Sequence, residues 1–361
     1  MHDISKEVLK KINDYGYEAY IVGGFVRDYL LGITSKDVDI NTNATPKDLK
    51  EIFKNATSSN NKYGSVTLYY KNYRFEITTF RIEDDYLDNR HPNVVFYTTD
   101  LKKDLLRRDF TINTFCMDQN GVIIDLLNAK GDLNNRVIKS VVDSNVSFGN
   151  DALRILRAIR FATVLNFSLD DEVIKAIKKN KELLRNLSYE RKKYELDRIF
   201  GSKYASYGIK LLKELELVDV LELKNIERVI DYSDMIGIWA MINPSNYPFN
   251  KSERELIKNI NKAYELDNLD VFVLYKYGLY INTLAGVNKK ISKKDIITKY
   301  QSLPINSKSD IKIDAPTICK VLNKETGAFI KKIYDDLEKQ ILLSKIKNEE
   351  QDIINYIRNN Y

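Results

Sequence analysis

Cysteine, histidine and tryptophan are scarce in this chain: 361 residues hold two, two and one of them, with six prolines. Cys116 and Cys319 stand far apart and outside any motif spacing, which excludes a disulfide framework and points to a reducing, cytoplasmic setting. No apolar run reaches the roughly 18 residues needed to span a bilayer. The N-terminal Met-His-Asp-Ile-Ser-Lys also lacks an apolar signal segment, so no membrane association is expected. Charge of one sign is missing in bulk: 57 Lys and Arg against 51 Asp and Glu leave a net +6. The excess is uneven, with +7 over residues 101–210 and +5 over 251–361. That placement suits a polyanion such as a nucleotide or RNA, and it is equally the pattern of solvated helix faces.

What is present is ordinary for a globular protein, 43% hydrophobic and 30% charged. The length predicts two to four domains. In the first third, Tyr17–Val22 reads as a strand that ends in Gly23-Gly24 and feeds a helix near Phe25. Thr45-Pro46 reads as an N-cap and first-turn pair opening a helix to about Lys54. Ser65–Tyr70 and Tyr73–Phe80 read as a hairpin joined at Lys71-Asn72, and Cys116–Met117 with Val122–Asp125 as a second one. From about residue 128 the pattern turns helical and stays so, with Leu153, Leu156 and Ile159 at helical spacing. The charge-dense Lys289–Lys299 stretch reads as a link between helical subdomains, and Trp239 as a core residue.

Ser35-Lys36-Asp37-Val38-Asp39-Ile40 places two acids two residues apart. Read as a strand, it sets Asp37 and Asp39 on one face, where two carboxylates repel unless a cation lies between them. Mg²⁺ suits that pair, because it takes a few hard carboxylate oxygens and completes its shell with substrate phosphates and water. Glu76 is the candidate third acid, on the same strand face as Arg74 and Thr78. In Ile-Val-Gly-Gly-Phe-Val-Arg-Asp, residues 21–28, glycine lets backbone approach a ligand, and Arg27 offers a bidentate phosphate donor.

The combination is more specific than its parts. Gly-Gly-Phe-Val-Arg-Asp followed about ten residues later by Asp-Val-Asp resembles the nucleotidyltransferase superfamily that includes DNA polymerase beta. Arg107-Arg108-Asp109-Phe110-Thr111-Ile112-Asn113 resembles the second signature of bacterial-type (class II) tRNA CCA-adding enzymes and their poly(A) polymerase relatives. Residues 151–161, Asp-Ala-Leu-Arg-Ile-Leu-Arg-Ala-Ile-Arg-Phe, are similar to that family's nucleotide-selecting helix, and Ser188–Leu196 and Gly208–Leu217 to its later helical segments. The resemblance covers about residues 15–220, with its motifs in order.

The resemblance implies an α+β protein: a DNA polymerase beta-like α/β head, followed by an elongated all-α neck, body and tail. The expected division is head 1–135, neck 136–200, body 201–288 and tRNA-binding tail 289–361. It implies a template-independent tRNA nucleotidyltransferase using CTP, ATP and Mg²⁺, with the tRNA 3′ end and acceptor/T arm as partner. Asp37, Asp39 and Glu76 are the expected catalytic acids, the first two holding metal. Gly23, Gly24, Arg27, Arg108, Asp109, Asn113, Asp151, Arg154, Arg157 and Arg160 are expected to bind nucleotide. Asp151 and Arg154 together would read the Watson–Crick edge of the base, while Arg157 and Arg160 support the pocket.

Residues 81–98, including Glu83, Tyr86, Asp88 and Arg90-His91-Pro92, are similar to the flexible loop this family needs to add the terminal A, which argues against CC-only activity. One departure lies at Asn150, where the family usually has Glu, so the charge that would help to orient Arg154 is absent. His2 and His91 alone cannot build the metal-dependent phosphohydrolase domain that some relatives carry. The rivals are an A-adding enzyme or a poly(A) polymerase of the same family, and a catalytically silent RNA-binding scaffold. A strongly basic C-terminal extension would favour the polymerase, and the chain instead ends at Tyr361 after a mixed-charge segment.

Overall fold

The computed structural model describes residues 2–35, 37–60, 63–86 and 92–361. The chain divides into two compact units, Met1–Glu222 and Leu223–Tyr361. In the first, chain order is α1 (His2–Asp14), β1 (Ala19–Val22), α2 (Gly24–Leu30), β2 (Asp39–Thr42), α3 (Pro46–Ile52), β3 (Thr57–Asn60), β4 (Ser65–Tyr70), β5 (Tyr73–Thr79), β6 (Arg81–Tyr86), β7 (Pro92–Tyr97) and α4 (Leu101–Leu106). There follow β8 (Cys116–Met117), β9 (Ile123–Ile124), α5 (Lys130–Asn134), β10 (Val137–Ile138), α6 (Ser144–Asn150), α7 (Leu153–Leu165), β11 (Ser168–Leu169), α8 (Asp171–Asn180), α9 (Tyr189–Phe200) and α10 (Ala205–Glu214).

Seven strands form one mixed sheet in the order β3-β4-β5-β2-β1-β8-β9. The expected hairpin is there, with Lys71 and Asn72 both at positive φ, the turn geometry that matches strand twist. β2 runs parallel to β5 and antiparallel to β1. The register stacks Met117, Ile21, Ile40, Ile77 and Val66 in one fully buried row. Because side chains alternate, the neighbouring row of Cys116, Val22, Asp39, Glu76 and Thr67 faces the other way. Leu101 and Leu105 of α4 cover the Val22–Cys116 end of that row, together with Phe80. The acidic end lies beyond this cover.

One expectation is corrected here. The strand begins at Asp39, so Asp37 precedes the sheet instead of sharing a strand face with Asp39. Val22, the partner of Asp39, is the last residue of β1, and Gly23 then turns the chain away. On the β1 side, residues before Asp39 therefore have no ladder to join. The capped helix at Thr45-Pro46 is as read: the Thr45 side chain and Asp48 form a reciprocal capping box.

The helical continuation holds one short parallel strand pair, β10 with β11, which the periodicity did not signal. α7 is buried along most of its length, including Leu153, Leu156 and Ile159, and packs against α9 and α10. Gly208 permits that closeness, since a Cβ there would meet Ile199 and Thr163 side chains at 2.5 and 2.6 Å. Asp88, Arg90 and His91 of the expected 81–98 loop lie outside the described residues; the described parts pair as an antiparallel β6–β7 ribbon.

The second unit holds α11 (Met235–Ile242), α12 (Lys251–Tyr264), α13 (Val271–Val287), α14 (Lys293–Gln301), α15 (Ala315–Leu322), α16 (Phe329–Leu342) and α17 (Glu350–Asn360). Trp239 is fully buried, with Tyr247 and Phe249 against it. A second core gathers Ile318, Ile333, Leu337, Ile341, Ile353 and Ile357. Lys289–Lys299 is not a link as read: from Lys293 it is helical and packs on α13, because buried Ile296 supplies the apolar contact. No described helix is long and apolar enough to cross a membrane.

Candidate active site

β1 brings the chain to Gly23 at φ 72, ψ −133, a backbone conformation closed to residues bearing a Cβ. A Cβ there would also stand 3.2 Å from Arg108 Nη1. On α2, Arg27 donates to Asn113 Oδ1 at 2.7 Å and to Asp28 at 2.9 and 2.6 Å.

Asp39 and Glu76 are Cα partners across the parallel β2–β5 ladder. Protein packed around Asp39 pushes its carboxyl up, and Glu76 and Asp37 push in the same direction against the opposing pull of Arg108. Asp39 thus lies within electrostatic reach of two further carboxylates. Among the described residues no group of three or more His, Cys, Asp and Glu side chains is placed to hold a metal ion by itself. A pair of acids is nevertheless the usual protein share of a Mg²⁺ shell, with phosphate and water oxygens supplying the rest.

The Arg-Arg-Asp segment follows directly on α4 and is organised by a residue the sequence reading missed. Asp104, fully buried, accepts from Asn41 Nδ2 at 2.7 Å, Arg81 N at 3.1 Å and Arg107 Nε at 2.9 Å. Burial opposes its ionisation, and the Arg107 and Arg108 guanidinium groups overcome that and hold it below the usual carboxylate range. An aspartate three and four residues before two arginines on a helix was the available signal. Arg81 and Arg107 both pair with Glu83 of β6, and Arg81 donates to the Tyr63 carbonyl. Arg108 Nη1 donates to the Asn113 carbonyl at 3.3 Å. Asp109 accepts from Asn113 Nδ2 at 3.0 Å and from Arg157 at 2.8 and 2.5 Å. Burial works against this carboxylate too, yet Arg157 holds it far below its ordinary range.

α7 carries the remaining candidates. Arg154 donates to Ser147 Oγ at 2.8 Å and to the Arg107 carbonyl at 2.6 Å, with Nε 3.9 Å from Asp151. Arg154 is therefore held by neutral acceptors on α6 and after α4. Arg160 Nε lies 2.8 Å from Glu195 of α9. That charge contact lacks hydrogen-bond alignment, for neither atom has a hydrogen-bond partner among the described residues. The Phe161 ring lies under three guanidinium groups, those of Arg27 at 5.2 Å, Arg157 at 5.4 Å and Arg160 at 4.2 Å. Its apolar side chain carried no signal of this role.

These groups open onto one cavity of about 710 Å³. Asp37, Asp39 and all ten expected nucleotide-binding residues line it, joined by Phe161, Arg81, Glu83 and Arg107. Glu76 alone among the expected site residues lies off it, in an adjoining hollow of about 370 Å³ that shares Asp39, Tyr63, Arg81 and Arg107.

Comparison with known proteins follows the same chain order. The family described as "Poly A polymerase head domain" matches residues 19–139. "Probable RNA and SrmB- binding site of polymerase A" matches 166–226, and a tRNA nucleotidyltransferase domain 2 matches 246–357. The CCA-adding enzyme of Staphylococcus haemolyticus is 31% identical over 99% of this chain and 97% of its own length. That of Listeria innocua is 34% identical over 96% and 95%. The crystal structure of the Bacillus stearothermophilus CCA-adding enzyme in complex with CTP superposes with a TM-score of 0.78, at 25% identity over 99% of this chain and 96% of that one. A Thermotoga maritima CCA-adding enzyme complexed with tRNA shares the fold, with a TM-score of 0.73 and 21% identity over 98% and 93%.

Proposed function

The chain belongs to the family of CCA-adding enzymes and their poly(A) polymerase relatives, and we propose on that premise how its cleft performs the family's chemistry. The protein is a template-independent tRNA nucleotidyltransferase that adds or repairs the 3′-terminal CCA from CTP and ATP, releasing pyrophosphate. One observation carries this reading. The Asp37/Asp39 acids and the Asp151–Arg154 pair open onto the same cavity, so the reacting phosphate and the chosen base fit as two ends of one bound nucleotide.

In the proposed reaction the RNA 3′-hydroxyl oxygen bonds to the α-phosphorus, the bond to the β,γ-pyrophosphate breaks, and the hydroxyl proton leaves to solvent. Asp37 and Asp39 would hold Mg²⁺, which when bound polarises the hydroxyl and neutralises the leaving pyrophosphate. Glu76 adds negative charge beside Asp39 and helps to retain cation there. Gly23 and Gly24 keep the floor open to phosphate, and Arg27 and Arg108 face phosphate or ribose. Asn113 supports Arg27, and Asp109 in turn holds Asn113 and Arg157. Asp151 accepts and Arg154 donates to the base edge, as a complementary strand would.

The same reading distributes labour as head 1–135, neck 136–200, body 201–288 and tail 289–361, the tail gripping the acceptor/T arm. The test uses tRNA transcripts ending at the discriminator base, after C and after CC, each given Mg²⁺ with CTP, ATP or both. Completion of all three to CCA followed by arrest supports full CCA addition. Extension of the CC-ended transcript alone marks an A-adding enzyme, and a long A ladder marks a poly(A) polymerase.

A further inference from the structure

Seven arginines line the cleft, and six have guanidinium nitrogens committed to hydrogen bonds within the protein. Arg160 is the exception. It lies over Phe161 at 4.2 Å, its Nε faces Glu195 at 2.8 Å, and it donates no hydrogen bond to any described residue. Its terminal nitrogens remain available to a ligand while its position is set from behind by a ring and a carboxylate.

Glu195 is 1% exposed, on a helix that also buries Lys192, Lys193, Leu196, Ile199 and Phe200. A buried ion pair contributes little net stability against an apolar substitute, because desolvating two charges offsets their attraction. Here the contact is not even aligned as a hydrogen bond. Burial pushes the Glu195 carboxyl up and the Arg160 guanidinium down, each toward its neutral form. Such a pair is better explained by what it positions than by what it stabilises.

Resting on the nucleotidyltransferase reading above, we infer that Glu195 is a positioning residue: it fixes Arg160 so that the free guanidinium edge binds the triphosphate of CTP and ATP alike. Because the triphosphate is common to both nucleotides, the contact lowers KM without taking part in base choice.

The experiment compares wild type with Glu195→Gln, Glu195→Asp, Arg160→Ala and the Glu195→Gln/Arg160→Ala double variant. Steady-state constants for CTP, ATP and tRNA are measured alongside inhibition by inorganic tripolyphosphate. The expected result for Glu195→Gln is a rise in KM of about tenfold, equal for CTP and ATP, the loss of one charge-assisted contact. Tripolyphosphate inhibition weakens by the same factor, the tRNA KM and the C-over-A choice stay unchanged, and Glu195→Asp recovers part of the loss. The double variant is no worse than Arg160→Ala, as required if Glu195 acts through Arg160. Additive losses, an altered tRNA KM, or altered base choice with tripolyphosphate inhibition intact would overturn the inference. If Glu195→Gln does not fold, undiminished tripolyphosphate inhibition in Arg160→Ala overturns it alone. Absence of CCA addition in the wild type would instead sink the underlying reading.

Discussion

Asp109 accepts two hydrogen bonds from Arg157, at 2.8 and 2.5 Å, across 48 positions of sequence. This pair ties the segment after α4 to α7, and so two walls of the cleft to each other. Removing the Asp109 charge takes the main partner from a half-buried Arg157, at a cost of about 1–3 kcal/mol. Asp109→Asn should therefore lower the melting temperature markedly at neutral pH.

The pH dependence of that effect has a defined sign. The folded carboxyl titrates well below its ordinary value, held there by Arg157 against burial. Its contribution is complete above the unfolded aspartate pKa of about 3.9 and declines as pH falls toward the folded value. Thermal melts of wild type and Asp109→Asn should differ by a constant amount from pH 5 to 8, and converge only in acid. A gap that closes near pH 6 would contradict the pairing.

Asp37→Ala and Asp39→Ala should each reduce nucleotide incorporation by about 10²–10³-fold or more, on the scale of losing a principal charge-stabilising group. Binding of tRNA, read by filter retention without nucleotide, should be unchanged. Unchanged incorporation would remove the acids from the metal site.

Base choice should depend on how Arg154 is held. Arg154→Ala should erode discrimination for C and A against G and U by about 10- to 100-fold, the range of one or two lost hydrogen bonds. Ser147→Ala leaves Arg154 in place but removes one acceptor, at 2.8 Å, and should show a smaller loss of the same kind. Single-nucleotide incorporation with all four triphosphates separates the two.

The thiols should differ in reactivity. Burial pushes Cys116 up to about 12, while Cys319 is half-buried. The thiolate is the reacting form. A colorimetric thiol reagent at pH 8 should titrate one group in the native protein and two in denaturant.

Local pattern made much of this protein legible. Alternation in Ser65–Tyr70 and Tyr73–Thr79, with a turn at Lys71-Asn72, specifies a hairpin because its partners are neighbours in sequence. The motif residues around Asp39, Arg108 and Arg154 were recognisable for the same reason, since each sits in a short run of fixed spacing. The tertiary structure decided what depends on distant partners. Asp37 falls outside the strand, which begins at Asp39 where its neighbour β1 ends at Val22, and nothing in Asp37-Val38-Asp39 records that boundary. Glu195 meets Arg160, and Phe161 meets Arg27, only when helices distant in sequence pack together, and Asp104 gains Asn41 and the Arg81 backbone in the same way. A charge can be buried only where an opposite one arrives from elsewhere in the fold, and that meeting is set by packing, not by spacing along the chain.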